Sequence, residues 1–99
     1  MKKVLATIFI LLFAIGVNSQ NTADNYIKSA NLKVSLEDYY WAIADYTKAI
    51  EIDRYDGSVY NNRNTAKYFL GDKNGACKDA IKARKLGYNA SELINLVCN

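Results

Sequence analysis

Cys77, in the stretch LGDKNGACKDA from Leu70 to Ala80, and Cys98 are the residues of this chain whose type could do covalent or metal chemistry. A cysteine in the first turn of a helix can be a nucleophile of lowered pKa, a metal ligand, half of a disulfide, or a small apolar residue. The chain contains no histidine. A thiolate nucleophile would have only carboxylates and lysines to act as its base, which disfavours catalysis. Two thiolates without an imidazole also make a poor metal site. The residues therefore point to a protein that is not an enzyme, with no cofactor, no metal and no small-molecule substrate. For the cysteines themselves, a disulfide and two separate thiols in small apolar sites remain open.

The compartment bears on that choice. Met1, Lys2 and Lys3 precede VLATIFILLFAIGV, Val4 to Val17, an apolar run broken only by Thr7 and Gly16 and followed by Asn18, Ser19 and Gln20. A charged start, a short apolar core and small residues before a cut are the layout of a secretory signal peptide. Spanning a membrane takes about twenty apolar residues, and Asn18 stops this run short. The expectation is a signal peptide over 1–19, cleaved near Ser19, and a mature protein that is secreted or periplasmic, exported but not anchored. Loss of Lys2 and Lys3 from thirteen basic residues leaves eleven against ten acidic ones, a net charge of +1. Phosphate neutralisation needs a basic face, so no nucleic-acid partner is expected. Lys78, Lys82, Arg84 and Lys85 cluster, but acidic residues surround them, and they read as a solvated helix face.

The elements that must position these residues are helical. Tyr39, Ala42, Ile43, Tyr46, Ala49 and Ile50 recur at steps of three and four, as do Ala76, Cys77, Ala80, Ile81 and Ala83, which puts one apolar stripe on each helix. Ser35 with Asp38, and Asn89 with Glu92, have the spacing of capping boxes. Asp56 and Asp72 are candidate caps of two other helices, and Gly87 suits a left-handed residue after a helix end. The spacing predicts helices over 23–35, 38–52, 57–69 and 72–86, and a short one from about 90.

A shift of 34 residues superimposes the chain on itself. It pairs Tyr26 with Tyr60, Lys33 with Lys67, Leu36 with Leu70, Asp38 with Asp72, Ala42 with Ala76, Asp45 with Asp79, Lys48 with Lys82 and Ala49 with Ala83. Self-similarity at this period is the signature of a repeat built from two helices per unit.

On these residues the chain resembles the tetratricopeptide repeat (TPR) family. Tyr60 to Gly87, YNNRNTAKYFLGDKNGACKDAIKARKLG, looks like one repeat, and 23–56, ending DYYWAIADYTKAIEID, looks like another. The family's early aromatic is met by Tyr26 and Tyr60, and its two small residues seven apart in the second helix by Ala42 and Ala49, then Ala76 and Ala83. Such alanines let paired helices approach closely. The ending KARKLGYNASELI also resembles Sel1-like repeats. The resemblance implies an all-α short solenoid, with repeats over 23–56 and 57–90 and a C-terminal capping helix over 91–99.

The departures are specific. Ala30 and Asn64 stand at the family's mid-helix glycine, which implies a slightly wider helix contact, and Arg54 and Tyr88 at its terminal proline. Tyr46 supplies the large aromatic of the second helix, but Ala80 takes that position in the second unit. The smaller residue implies a terminal unit with a lighter neighbour, the helix carrying Leu93, Ile94, Leu96 and Val97. Two repeats make a marginal core, with a capping helix, a disulfide or self-association as remedies.

TPR proteins bind partners in a concave groove lined by first helices. The resemblance assigns that groove here to Ile27, Asn31 and Val34, with Asn61, Thr65 and Tyr68, asparagines gripping the backbone of an extended peptide and Val34 and Tyr68 giving apolar contact. The alternative for these six is the plain polar side of two helices. Asn31 and Asn62 match the amides of a carboxylate-gripping TPR subgroup, yet Ile27 replaces its first lysine and a third repeat is missing, so that activity is not expected. In the triplet Tyr39, Tyr40 and Trp41, helix geometry exposes at least one ring. Core packing accounts for Tyr39, and Trp41 reads as a contact residue or as cover for the N-terminal helix.

In the repeat arrangement, Cys77 lies on the stripe with Ala80 and Arg84, facing the helix that carries Cys98. Export favours a Cys77–Cys98 disulfide, although antiparallel packing would leave the pair about two residues out of ideal register. The functional expectation is a non-catalytic protein–protein interaction module, an adaptor or scaffold of the envelope or secreted space that binds a protein or peptide partner. The alternative is a structural protein that assembles on copies of itself as a homo-oligomer.

Overall fold

Three of the helices start where a short polar side chain can take up a free N–H group. In the computed structural model, which describes residues 22–99, the Thr22 hydroxyl accepts from the Asn25 N–H at 3.4 Å and opens α1 (Ala23–Ser35). Asp56 accepts from the Ser58 N–H at 3.1 Å and opens α3 (Gly57–Leu70). Asp72 accepts from the Gly75 N–H at 2.9 Å and opens α4 (Lys73–Lys85). A Cβ on Gly75 would run into that Asp72 carboxylate, so a glycine here leaves room for the cap.

The other two starts correct the expected capping boxes. Asp38 precedes α2 (Tyr39–Ile52) but makes no side-chain cap bond, and the Ser35 hydroxyl donates instead to Leu32 O inside α1 at 2.6 Å. Ser35 belongs to the end of one helix rather than to the start of the next. Ahead of α5 (Ser91–Val97), the N-cap is Ala90; Asn89 Oδ1 accepts from the Ser91 N–H at 3.5 Å and hydroxyl at 3.1 Å, closing a turn without Glu92.

Three helix ends share one chemistry. After α1, α3 and α4 the chain turns through a left-handed residue, Glu37 (φ 59°), Gly71 (φ 94°) and Gly87 (φ 91°). The N–H of the following residue returns to a carbonyl five back: Asp38 to Lys33 at 2.8 Å, Asp72 to Lys67 at 2.9 Å, and Tyr88 to Ala83 at 3.0 Å. This is the Schellman closure.

The described chain is therefore all-helical, with five α-helices and no strand among the described residues. The signal peptide expected over 1–19 lies outside them. Packing runs between chain neighbours, α1 on α2, α2 on α3, α3 on α4 and α4 on α5. The apolar interior is accordingly three linked clusters. Ala30, Ala42, Tyr46, Ala49 and Val59 form the first. Tyr60, Ala83 and Ala90 form the second, joined to the first through half-buried Ile50. Ala76, Ala80 and Val97 form the third, under Ile94 and the two cysteines.

The small residues act as their spacing predicts. Ala42, Ala49, Ala76 and Ala83 are all at most 1% exposed, so helix backbones meet there without bulky side chains between them. Val97 and Ile94 cover Ala80, where the first helix pair has Tyr46. Cys77 and Cys98 are joined as a disulfide with Cα atoms 4.8 Å apart, so the register offset expected of antiparallel packing does not hold them apart. Both cysteines are committed to this bond and no free thiol is left among the described residues.

Candidate binding clefts

α3 is the middle element, and its residues Asn61, Asn62 and Thr65 occupy adjoining positions of one helix face. A cleft opens on either side of that face. The first, about 170 Å³, lies between α1 and α3 over α2 and is lined by Asn31, Val34, Tyr46, Asn62 and Thr65. The second, about 310 Å³, lies between α3 and the start of α5 and is lined by Asn61, Tyr88, Asn89, Ala90, Ser91, Glu92 and Leu93.

Within the first cleft the Tyr46 hydroxyl donates to Asn31 Oδ1 at 2.5 Å. Tyr46 is 2% exposed, and burial pushes its phenol pKa up, so it stays a neutral donor through the physiological range. With its oxygen engaged by Tyr46, Asn31 has its NH₂ group left as a donor for a backbone carbonyl. Asn62 faces the same cleft from α3. Thr65 also lines this cleft, and its hydroxyl donates to the Asn61 carbonyl at 3.2 Å.

Of the six residues assigned to the groove by sequence, three meet: Asn31, Val34 and Thr65 line the first cleft. Asn61 lines the second instead, 8% exposed, with its Oδ1 buried and accepting no hydrogen bond. Ile27 packs against the first apolar cluster rather than lining either cleft. Tyr68 is 38% exposed and set edge-on to Phe69, ring centroids 5.8 Å apart. Phe69 also stacks on Tyr39 at 5.2 Å, so Tyr39 is half-buried beneath a neighbour from α3 rather than in the core.

Three groups of residues are not named by the sequence pattern. The Tyr46 contact was hidden because the repeat shift pairs Tyr46 with Ala80, so the tyrosine looked like packing alone. The wall Tyr88–Leu93 depends on where α5 settles, which no helical period dictates. An ion network between the helices of each pair was also missed, although its signal was present. Lys33 meets Asp45 at 2.6 Å, with Ser29 donating to the same Oδ2 at 2.6 Å. In the second pair Arg63 and Lys67 both meet Asp79, which is only 4% exposed. The two lysine–aspartate pairs have the same twelve-residue spacing and lie 34 apart.

A third cleft, about 350 Å³, shares no lining residue with the other two and opens between Tyr40, Trp41, Ile43, Ala44, Lys67, Leu70 and Asp72. Tyr40 and Trp41 are 65% and 57% exposed and meet edge-to-face at 5.3 Å. Trp41 is thus an exposed residue of this cleft rather than a core residue. No group of three or more His, Cys, Asp or Glu suited to a metal occurs among the described residues. Compared with the models of known protein families and with curated proteins, the chain matches none.

Proposed function

We propose that this protein is an exported, non-catalytic interaction module of TPR type, which holds an extended peptide or a protein segment along the face of α3, between α1 and α5. The observation that carries the reading is the Tyr46–Asn31 hydrogen bond, which holds the Asn31 amide in the cleft that Asn62 also lines. Two amides across a narrow cleft suit the alternating carbonyl and N–H groups of an extended backbone, and Val34 gives an adjoining apolar contact. Helix pairs that begin 34 residues apart, at Ala23 and Gly57, then Tyr39 and Lys73, support tandem units of the TPR kind over 23–56 and 57–90. With both thiols in a disulfide and no histidine in the chain, neither catalysis nor a cofactor enters the proposal.

The test is a random-peptide display selection on the disulfide-bonded protein, with an Asn31→Leu, Asn62→Leu double variant as counter-target. Enrichment of peptides that bind the wild type and lose most of their affinity for the variant supports the reading. Equal binding to both, or no enrichment, overturns it.

A second reading is favoured by the exposed Tyr40 and Trp41, which line the third cleft together with exposed Leu70. Contiguous exposed apolar surface of this kind marks contact sites, and a second copy of the chain is one occupant. Solution mass across a concentration series separates the two: a monomer throughout eliminates self-assembly.

A further inference from the structure

α4 opens on a dipeptide whose chemistry the clefts do not use. Asn74 is followed by Gly75, and no other asparagine of the chain precedes a glycine. An asparagine can lose its side-chain amide without any enzyme, when the backbone nitrogen of the next residue attacks its Cγ. Glycine is the most permissive neighbour for this attack, because it has no side chain to shield the nitrogen and leaves the backbone free to bring it round. Asn74 is exposed and Gly75 half-buried, so the pair lies at the surface. A Cβ at position 75 would run into the Asp72 carboxylate that caps the helix. The cap therefore imposes the dipeptide most prone to this reaction.

Two features of the closed first turn oppose the attack. Asn74 has helical backbone within α4, which holds the Gly75 nitrogen away from its Cγ. The Gly75 N–H also donates to Asp72 Oδ1 at 2.9 Å, and the attacking nitrogen must first give up that proton. A carboxylate that accepts from it disfavours the nitrogen anion, by the hydrogen bond and by its charge. Both protections last only while the turn is closed, and helix ends open more readily than cores. Besides the cap, the turn is held by the Ala76 N–H to Asp72 O at 3.0 Å and by Lys73 Nζ to Asn99 O at 2.7 Å.

We propose that Asn74 is a modification site, an asparagine that deamidates spontaneously, with the Asp72 cap as the gate that sets its rate. The Gly75 nitrogen bonds to Asn74 Cγ and the Cγ–Nδ2 bond breaks. Ammonia leaves with the proton that Gly75 gave up, and a cyclic imide remains. Water then opens the imide at either carbonyl, giving aspartate or isoaspartate, and no oxidant, reductant or cofactor is consumed. Isoaspartate routes the main chain through the side-chain carbon, which lengthens the backbone just ahead of Ala76 and Cys77 and breaks the register of the turn. The site is independent of the peptide-binding reading.

The experiment follows aspartate and isoaspartate at position 74 by peptide mapping and mass spectrometry, in the disulfide-bonded protein at mildly alkaline pH, folded and in urea. The urea-unfolded chain is expected to convert Asn74 at least about tenfold faster than the folded wild type. Asp72→Ala, shown to be folded by circular dichroism, is expected to convert about fivefold faster than the wild type, and Asp72→Asn, which keeps a capping acceptor, to stay nearer the wild type. Absence of conversion in urea overturns the site. A folded wild type that converts as fast as the unfolded chain overturns the gate, as does an Asp72→Ala rate equal to that of the wild type. Where Asp72→Ala does not fold, hydrogen exchange at the Gly75 amide of the wild type decides. Protection that matches the slowed conversion supports the gate, and an amide that exchanges as freely as in an unfolded chain while Asn74 stays slow overturns it.

Discussion

Arg63 and Asp79 form a two-pronged ion pair between α3 and α4, Nε to Oδ2 at 2.8 Å and Nη2 to Oδ1 at 2.7 Å, with both side chains largely buried. Lys67 reaches the same carboxylate at 3.0 Å, and Arg63 Nη1 donates onward to Thr47 of α2 at 3.2 Å. One aspartate thus ties three helices. Its hydrogen bond and charge hold the Arg63 pKa above the ordinary guanidinium value, against the opposing effect of burial. Removing one partner of a buried pair strands the other, at about 3–5 kcal/mol. Asp79→Ala strands two cations. Asp45→Ala strands only Lys33, which is 32% exposed and can turn to water, so its cost is about 1 kcal/mol. Urea midpoints of the two variants, compared with the wild type, should rank Asp79→Ala as much the more damaging. Equal losses would show that the buried network adds nothing beyond a surface pair.

Asp45 predicts an acid dependence. Burial pushes its pKa up, but the hydrogen bonds from Lys33 and Ser29 and the Lys33 charge outweigh that, so it lies below the ordinary carboxylate value. A carboxylate with a lowered folded pKa stabilises the fold fully above its unfolded value of about 3.9 and loses that contribution as pH falls through the folded value. The stability gap between the wild type and Asp45→Asn should therefore be constant from pH 5 to 7 and close below about pH 4. Urea midpoints at each pH measure it, and a gap that persists unchanged at pH 2 contradicts this account.

Glu37 occupies the left-handed position that Gly71 fills 34 residues later. An L side chain there brings its Cβ close to its own carbonyl, at roughly 1 kcal/mol relative to glycine. Around Gly71 a Cβ would meet nothing within 4 Å, so the difference between the turns is backbone conformation rather than crowding. Glu37→Gly should raise the melting temperature by about 4–8 °C, and Gly71→Glu should lower it by a similar amount. Thermal melts followed by circular dichroism read both. A fall on Glu37→Gly would mean that the carboxylate makes a contact worth more than the turn strain.

The helices were legible because period and punctuation agree. Ala42, Ala49, Ala76 and Ala83 recur at helical spacing, and Asp56, Asp72, Gly71 and Gly87 mark ends by chemistry that is local to the chain. What depends on two elements meeting was less legible. Ser35 and Asp38 have the spacing of a capping box, but the Ser35 hydroxyl finds Leu32 O, a carbonyl of its own helix, first. Asn61 and Thr65 share one helix face, yet α5 draws Asn61 into a different cleft from Thr65. Asn64 stands where the first helix pair has Ala30, and both are fully buried. Its amide atoms have no hydrogen-bond partner, and nothing in the local sequence announces a polar group there.

The Cys77–Cys98 bond predicts how the molecule comes apart. α5 has only seven residues, too few for a helix to hold itself together in water, and its sole substantial packing is on α4. The apolar contact there is small, Val97 and Ile94 against Ala76 and Ala80. The disulfide closes a loop over a sequence separation of 21, which in the chain-entropy view is worth about 3 kcal/mol, a large share of the stability of so small a domain. Cys98→Ser should therefore lower global stability by about that amount. It should also release α5 locally, because Lys73 Nζ to Asn99 O, at 2.7 Å, is the only remaining tie of the C-terminal residues among the hydrogen bonds to α4. Hydrogen exchange should then show amides 94–98 losing nearly all protection, while those of α1 and α2, packed around Ala30 and Tyr46, fall only by the global loss. If protection falls evenly across all five helices, α5 and the rest form one cooperative unit. The wall of the α3/α5 cleft would then be as firm as the core behind it, with or without the bond.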